Sequence, residues 1–310
     1  MASAILQTAV VNNKGLIRGN NEDNFYLDGT YMHRDKVDDG AFITGSCKNE
    51  YQLYAVCDGM GGADSGEEAS FCAVRELAEQ KKNYKALTSA DYLTDVLRGM
   101  SEKVFDEAVA RGQKSGTTIA MTIVDGDTMH VANVGDSRVY RFHNGILSQV
   151  SVDHSKVQRM VAMGLITPEQ ARVDPSRHII SQYLGMPKDV NVSPHIDSSA
   201  KLTKNDVYLL CSDGLTDMVE DPQIEAIIKE GKEPGDIARK LVKTALKNGG
   251  RDNVTVMILK VMQVTEDKKE AEAPQQQNSG IAKILSAAQF VVGCGLVATI
   301  ADMVYYLMHR

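Results

Sequence analysis

TTIAMTIVDGDTMHVANVGDSRVYRF, residues 117–142, decides the fold class. It reads as three strands, 117–124, 128–134 and 138–142, rich in the β-branched and aromatic residues that suit a pleated surface. Asp125-Gly126-Asp127 joins the first two, and His143-Asn144-Gly145 follows the third. Connections this short reverse the chain at once and predict antiparallel hairpins, because a parallel crossover needs a dozen residues or more. Further strands are expected at 51–57, 206–211 and 253–261, each bounded by Gly, Asp or Asn.

Helices are expected at 65–81, 90–112, 154–164, 167–172, 222–230 and 234–248. The last opens on Glu233-Pro234 and closes at Gly249-Gly250. Proline costs nothing in a first turn that has no partner for its N–H, and glycine accepts the left-handed turn that ends a helix. Thr167-Pro168 has the same opening chemistry, with a hydroxyl to cap the first turn. Hairpins mixed with helix pairs predict an α+β domain in which helices pack on antiparallel sheets.

The chain has 310 residues and a formal net charge of −7. That balance argues against nucleic acid as a partner, since a phosphate backbone is held by clustered Lys and Arg. Five cysteines, Cys47, Cys57, Cys72, Cys211 and Cys294, are scattered with no paired spacing, so neither a zinc cage nor a disulfide framework is expected. They read as reduced thiols. The first fifteen residues lack the basic start of a signal peptide, which places the folded domain in the cytoplasm as an expectation.

Four aspartates stand at the ends of strand candidates. Asp58 follows YQLYAVC, Asp136 follows HVANVG, Asp213 follows YLLCS, and Asp252 precedes NVTVMILKV. One Asp-Gly after a strand is ordinarily a turn. Several at equivalent strand ends would converge, and converging carboxylates repel unless protonated or neutralised by a cation. An all-oxygen set suits Mg²⁺, Mn²⁺ or Ca²⁺, not zinc.

Seven segments then occur in order: RGNNED at 18–23, CDGMGG at 57–62, SGTT at 115–118, GDSR at 135–138, DHS at 153–155, CSDGLTD at 211–217 and RDNVT at 251–255. On these segments the chain resembles the metal-dependent protein phosphatase family (PPM, type 2C), in its bacterial branch, over residues 5–262. The resemblance implies a four-layer α-β-β-α sandwich of two antiparallel sheets flanked by helix pairs. It implies hydrolysis of phosphoserine and phosphothreonine monoesters in proteins by a hydroxide bridging two Mg²⁺ or Mn²⁺ ions, with a third ion in some bacterial members.

By the same resemblance Asp58 would bridge the two ions, with the carbonyl of Gly59 beside it, and Asp213 and Asp252 would complete one ion's shell. Glu22 and Asp23 would act through bound waters, Asp136 would serve the third ion, and Arg18 would grip the substrate phosphate. A guanidinium fork suits paired phosphate oxygens. Thr117, Thr118 and Asn253 read as supporting residues, and His154 as structural. Met60 stands where animal members often carry a histidine, and a thioether cannot donate a proton, so the general acid stays unassigned. Residues 155–190 match a flap over the cleft. Phosphoproteins, and a Ser/Thr kinase with its targets, are the partners implied.

Two other readings fit less of the sequence. A catalytically silent binding relative would be expected to lack metal aspartates, and a Ca²⁺-binding module does not account for Arg18 or the ordered motifs. Residues 263–280 (QVTEDKKEAEAPQQQNSG) have the composition of a flexible linker. Beyond them, 284–301 are 18 consecutive uncharged residues, and 284–306 is long enough to span a bilayer as an anchor, with a docking helix as the alternative. Nothing in the sequence fixes the oligomeric state.

Overall fold

The computed structural model describes residues 3–61 and 65–265. In chain order, the strands begin with β1 (Ser3–Asn13), β2 (Asp23–Leu27), β3 (Thr30–Tyr31), β4 (Ala41–Cys47) and β5 (Tyr51–Gly61). Helices α1 (Gly66–Glu79) and α2 (Ala90–Ala110) follow, then β6 (Ser115–Thr117), β7 (Ile119–Asp125), β8 (Thr128–Val134), β9 (Arg138–His143) and β10 (Ile146–Gln149). The remainder is α3 (Lys156–Ala162), α4 (Pro168–Val173), β11 (His195–Lys201), β12 (Val207–Cys211), α5 (Asp213–Thr216), α6 (Asp221–Glu230), α7 (Pro234–Lys247) and β13 (Val254–Thr265).

One sheet has the order β10-β9-β12-β13-β1-β4 and the other β11-β8-β7-β5-β2-β3, with β6 pairing the far end of β5. Every strand pair is antiparallel, as the hairpin connections require. Three apolar clusters fill the spaces between layers. Leu6, Val10, Phe25, Tyr54, Val56, Val131, Val139, Leu210, Met257 and Leu259 come from both sheets and form the central layer. Leu53, Ala55, Ile119, Met121 and Ile123 face α1 and α2 through Ala73, Leu77, Leu93 and Leu97. Leu209, Val256 and Ile258 face α6 and α7 through Ile224, Ile228, Leu241 and Ala245. The result is the expected α-β-β-α sandwich. Successive residues of one strand serve opposite layers, as Leu209 and Leu210 do, because the side-chain period of a strand is two.

The expected helices are present, with ends shifted by a few residues. Thr167 caps α4 in a full capping box, its hydroxyl accepting from Gln170 N while the Gln170 side chain accepts from Thr167 N. Strands β1, β2, β3, β4, β6, β10 and β11 were not expected. β4, β10 and β11 lie at sheet edges, where solvent replaces a neighbour and sequences such as HIDSSAK show no apolar run. β2 is interior but opens on Asp23-Asn24, and polar residues there mask the strand pattern.

Two expectations need correction. β5 does not stop before Asp58: it runs to Gly61, because β6 supplies Thr117, Gly116 and Ser115 as partners for Gly59, Met60 and Gly61. Asp58-Gly59 is therefore strand, not a turn. β13 likewise continues to Thr265, three residues into the stretch read as linker, because its end pairs with Ser3, Ala4 and Ile5. The rest of that linker, and the apolar stretch 284–306, lie outside the described residues. Among the described residues no helix is long and apolar enough to cross a membrane.

Leu210 is fully buried between the two sheets. Leu210→Ala should destabilise the domain by about 2–5 kcal/mol, through lost transfer energy and an unfilled cavity. Urea unfolding followed by circular dichroism measures it.

Candidate metal centre

β2 and β5 are neighbours, and their register places Asp23 directly opposite Asp58. Two carboxylates on facing positions of paired strands destabilise each other unless something compensates. The two residues are fixed by different means. The Thr117 hydroxyl donates to Asp58 O at 2.9 Å, and Asp58 N donates to Thr118 Oγ1 at 3.1 Å. The SGTT segment thus holds the backbone of Asp58 from both sides. Asp23 is fully buried, and its Oδ2 accepts from Ser212 Oγ and Thr255 Oγ1, each at 2.7 Å. Asn12 donates to Thr255 Oγ1 at 2.9 Å and completes this hydroxyl cradle.

The remaining acids arrive from other elements. Asp213 starts α5 just past β12, Asp252 stands two residues before β13, and Asp136 lies between β8 and β9. They come near enough to act on one another. Burial pushes the Asp58 carboxyl well above the usual range, and Asp23, Asp213, Asp136 and Asp252 push it further. Asp213 is raised well above that range too, by burial and then by Asp136, Asp252, Asp217 and Asp23. Asp23 is pushed up to about 7 by burial, with Asp252 and Glu22 adding to the rise and the Thr255 and Ser212 hydroxyls opposing it. Asp136 also rises to about 7, through burial and Asp153.

Glu22 sits at the margin of this group. Its carboxyl is raised by burial and by Glu67, and its backbone carbonyl accepts from Gly59 N at 3.1 Å. Gly59 admits no larger residue, since a Cβ there would lie 2.1 Å from Gly66 O and 2.5 Å from Glu22 O. This close approach lets the strand carrying Asp58 lie against Gly66 and the Glu22 backbone. Arg18 projects from the β1–β2 loop, 47% exposed, and donates to Asp252 Oδ2 at 2.6 Å. The resemblance gives Arg18 to a substrate phosphate; here its partner is a carboxylate of the cluster itself.

Asn253 joins three backbone groups from the β1–β2 loop. Its amide donates to Lys14 O at 2.8 Å and Asn20 O at 2.9 Å, and its Oδ1 accepts from Glu22 N at 2.7 Å. One side chain therefore closes the loop that carries Arg18. His154 Nδ1 accepts from Gly135 N at 3.1 Å, and burial lowers its pKa, which favours the neutral ring. Arg138 and Asp153, from the GDSR and DHS segments, form a half-buried forked pair, with Arg138 Nε to Asp153 Oδ1 at 3.0 Å and Nη2 to Oδ2 at 2.6 Å. Their occurrence in two of the ordered segments was the signal for it.

Residues 155–190 are tied down by Lys156 N donating to Ile179 O at 2.8 Å and Ser181 N to His154 O at 2.7 Å. They bring His178 to 3.9 Å from Asp213 and 3.6 Å from Asp217. Among the described residues, His178, Asp213 and Asp217 are the trio whose potential ligand atoms all lie within 4.8 Å of one another. The sequence reading did not single out His178 or Asp217. Asp58, Asp213 and Asp252 are spread more widely, with Asp252 engaged by Arg18.

The residues present nevertheless fit divalent cations. Asp23 Oδ1 and Asp213 Oδ1 are buried without a hydrogen-bond partner, which is costly for an acceptor unless a cation or water meets it. The donor set around Asp58 is oxygen throughout, the chemistry of Mg²⁺ or Mn²⁺.

The protein phosphatase 2C family pattern matches residues 30–254 of this chain. The serine/threonine phosphatase stp of Listeria monocytogenes is 33% identical over 237 residues, which are 74% of this chain and 92% of that protein. The crystal structure of the Mycobacterium tuberculosis serine/threonine phosphatase PstP/Ppp superposes with a TM-score of 0.70 at 31% identity, covering 84% of this chain and 100% of that one. A structure of the PstP catalytic domain in complex with two manganese ions has a TM-score of 0.68 at 30% identity, covering 85% of this chain and all of that one.

Raised carboxyl pKa values make stability depend on pH in a definite direction. Asp23 and Asp136 titrate near 3.8 when unfolded and about 7 when folded, so between these values the folded state binds more protons. Without cations, stability should be highest below about pH 4 as far as these groups go, and should be lost as pH rises through about 7. Divalent cations reverse the penalty. The rise in Tm on adding Mn²⁺ after EDTA treatment should be larger at pH 7.5 than at pH 5, measured by differential scanning fluorimetry.

Proposed function

The chain belongs to the protein phosphatase 2C family, and from that premise we propose that it hydrolyses phosphoserine and phosphothreonine monoesters in proteins with two divalent cations, Mg²⁺ or Mn²⁺. One observation carries the proposal: the ionisation of Asp58 is opposed by four other aspartates drawn from separate elements. A fold does not retain such a group for stability, since each buried, unpaired carboxylate costs free energy.

In this reading Asp58, the Gly59 carbonyl, Asp213 and Asp252 hold the pair of ions, while Glu22 and Asp23 act through water and Asp136 serves a third. When bound, the cations supply a water that is ionised near neutral pH as the nucleophile and offset charge developing at phosphorus. The protein's own groups position this chemistry. Thr117 and Thr118 fix the Asp58 backbone, Ser212 and Thr255 hold Asp23 by one oxygen and leave the other without a hydrogen-bond partner, and Asn253 sets the Arg18 loop. Arg18 is exposed enough to exchange Asp252 for a phosphate dianion, whose equatorial oxygens match its fork. Met60 has no proton to give, and His154 Nδ1 accepts from Gly135 N, so neither that thioether nor that ring nitrogen protonates a leaving alkoxide.

Wild-type protein should hydrolyse p-nitrophenyl phosphate with Mn²⁺ and lose that activity in EDTA, and Asp213→Asn should lower turnover by about two orders of magnitude or more. Activity that survives chelation, or an unimpaired Asp213→Asn enzyme, would overturn the assignment.

For the C-terminal stretch we propose that residues 284–306 hold this domain at a membrane, on the strength of the 18 consecutive uncharged residues at 284–301. A chain ending at residue 280 should move from the membrane fraction to the supernatant after cell lysis. Full-length protein found in the supernatant would rule the anchor out.

A further inference from the structure

The loop between β1 and β2 (14–22, KGLIRGNNE) carries two apolar residues among polar and glycine positions, and both face solvent: Leu16 is 64% exposed and Ile17 71%. Scattered surface aliphatics are ordinary, but these two are consecutive, immediately precede Arg18, and lie on a loop held rigidly. Leu16 N donates to Gly250 O at 2.8 Å, and Gly15 N donates to Asn13 Oδ1 at 2.9 Å. Asn253 ties Lys14 O to Asn20 O across the loop. Gly15 takes a φ of +82°, and a Cβ on it would lie 2.1 Å from Asp252 O. The loop is thus pressed onto the segment that presents Asp252. Gly250 is equally constrained, with a φ of +50° and Leu16 Cγ at 2.9 Å from where its Cβ would be.

We propose that Leu16 and Ile17 form an apolar ledge that determines substrate choice by receiving an aliphatic or aromatic side chain next to the phosphorylated residue. The inference rests on the phosphatase reading and on Arg18 meeting the phosphate. A phosphoresidue bound there puts the next residues of its chain, each within about 3.3–3.6 Å of reach per position, over the residues adjoining Arg18. Two exposed aliphatics on a backbone that cannot relax away from water gain by being covered, and the loss of rotamer freedom is small for a β-branched Ile17. A charged or small flanking residue leaves the ledge wet and gains nothing. The occupant is therefore a neutral, apolar side chain.

The test compares three phosphothreonine peptides of one otherwise Ser/Gly-rich sequence, with Leu immediately before the phosphothreonine, with Leu immediately after it, or with Ser at both places. Each is assayed with Mn²⁺ on full-length wild type and on Ile17→Ser, with p-nitrophenyl phosphate as a substrate that has no flanks. Wild type should favour one Leu peptide over the Ser peptide by about tenfold in kcat/KM, the scale of an apolar side chain's contribution to discrimination. Ile17→Ser should erase that preference while its rate on p-nitrophenyl phosphate stays at the wild-type value. Equal kcat/KM on all three peptides in the wild type overturns the ledge and leaves the phosphatase reading standing. A preference that survives in Ile17→Ser also overturns it. Hydrolysis of none of the four substrates by wild type overturns the phosphatase reading, and the ledge with it.

Discussion

Asp23 opposite Asp58 across paired strands is the constraint around which the rest is arranged. Two facing carboxylates, with three more aspartates close enough to oppose ionisation, form a locally unfavourable group in the absence of cations. The surroundings reduce the cost without removing it. Hydroxyls of Ser212 and Thr255 satisfy one oxygen of Asp23 and none reaches the other. Arg18 answers Asp252 from a half-exposed position, where such a pair contributes at most about 1 kcal/mol. The compensation is partial, and a site that exchanges cations and phosphate requires that.

The sandwich makes this arrangement tolerable. Three apolar layers lock the strands in register, so the acids at one end of the sheets have nowhere to retreat. Glycine is essential where backbones meet: Gly59 lets β5 approach Gly66 and the Glu22 carbonyl, and Gly214 lies where a Cβ would come within 1.9 Å of Asn253 O. The DG pairs in CDGMGG and CSDGLTD therefore serve packing at the site, each glycine allowing its aspartate to stand against a neighbouring backbone.

Much of the architecture was legible because hairpin connections and helix caps are local signals. Strands 117–142 follow from their turns, and α4 and α7 from Thr167-Pro168 and Glu233-Pro234. Edge strands such as β4 and β11 were not legible, since a strand that borders solvent needs no apolar alternation, and β2 was hidden by the polar Asp23-Asn24 on which it opens. Asp58 was read at a strand end because Asp-Gly is ordinarily a turn; only its pairing with β6, distant in sequence, keeps it extended.

The sequence alone determined which acids belong together, because seven ordered segments select them and oxygen ligands select the class of cation. Tertiary structure alone decided how they meet: that Asp23 faces Asp58, that Arg18 rests on Asp252, that Asn253 closes the Arg18 loop, and that His178 reaches Asp213 and Asp217. Each of these contacts joins residues far apart in the chain. Local propensity and spacing carry no information about such pairs; they are set by strand register and by the packing of one layer on the next.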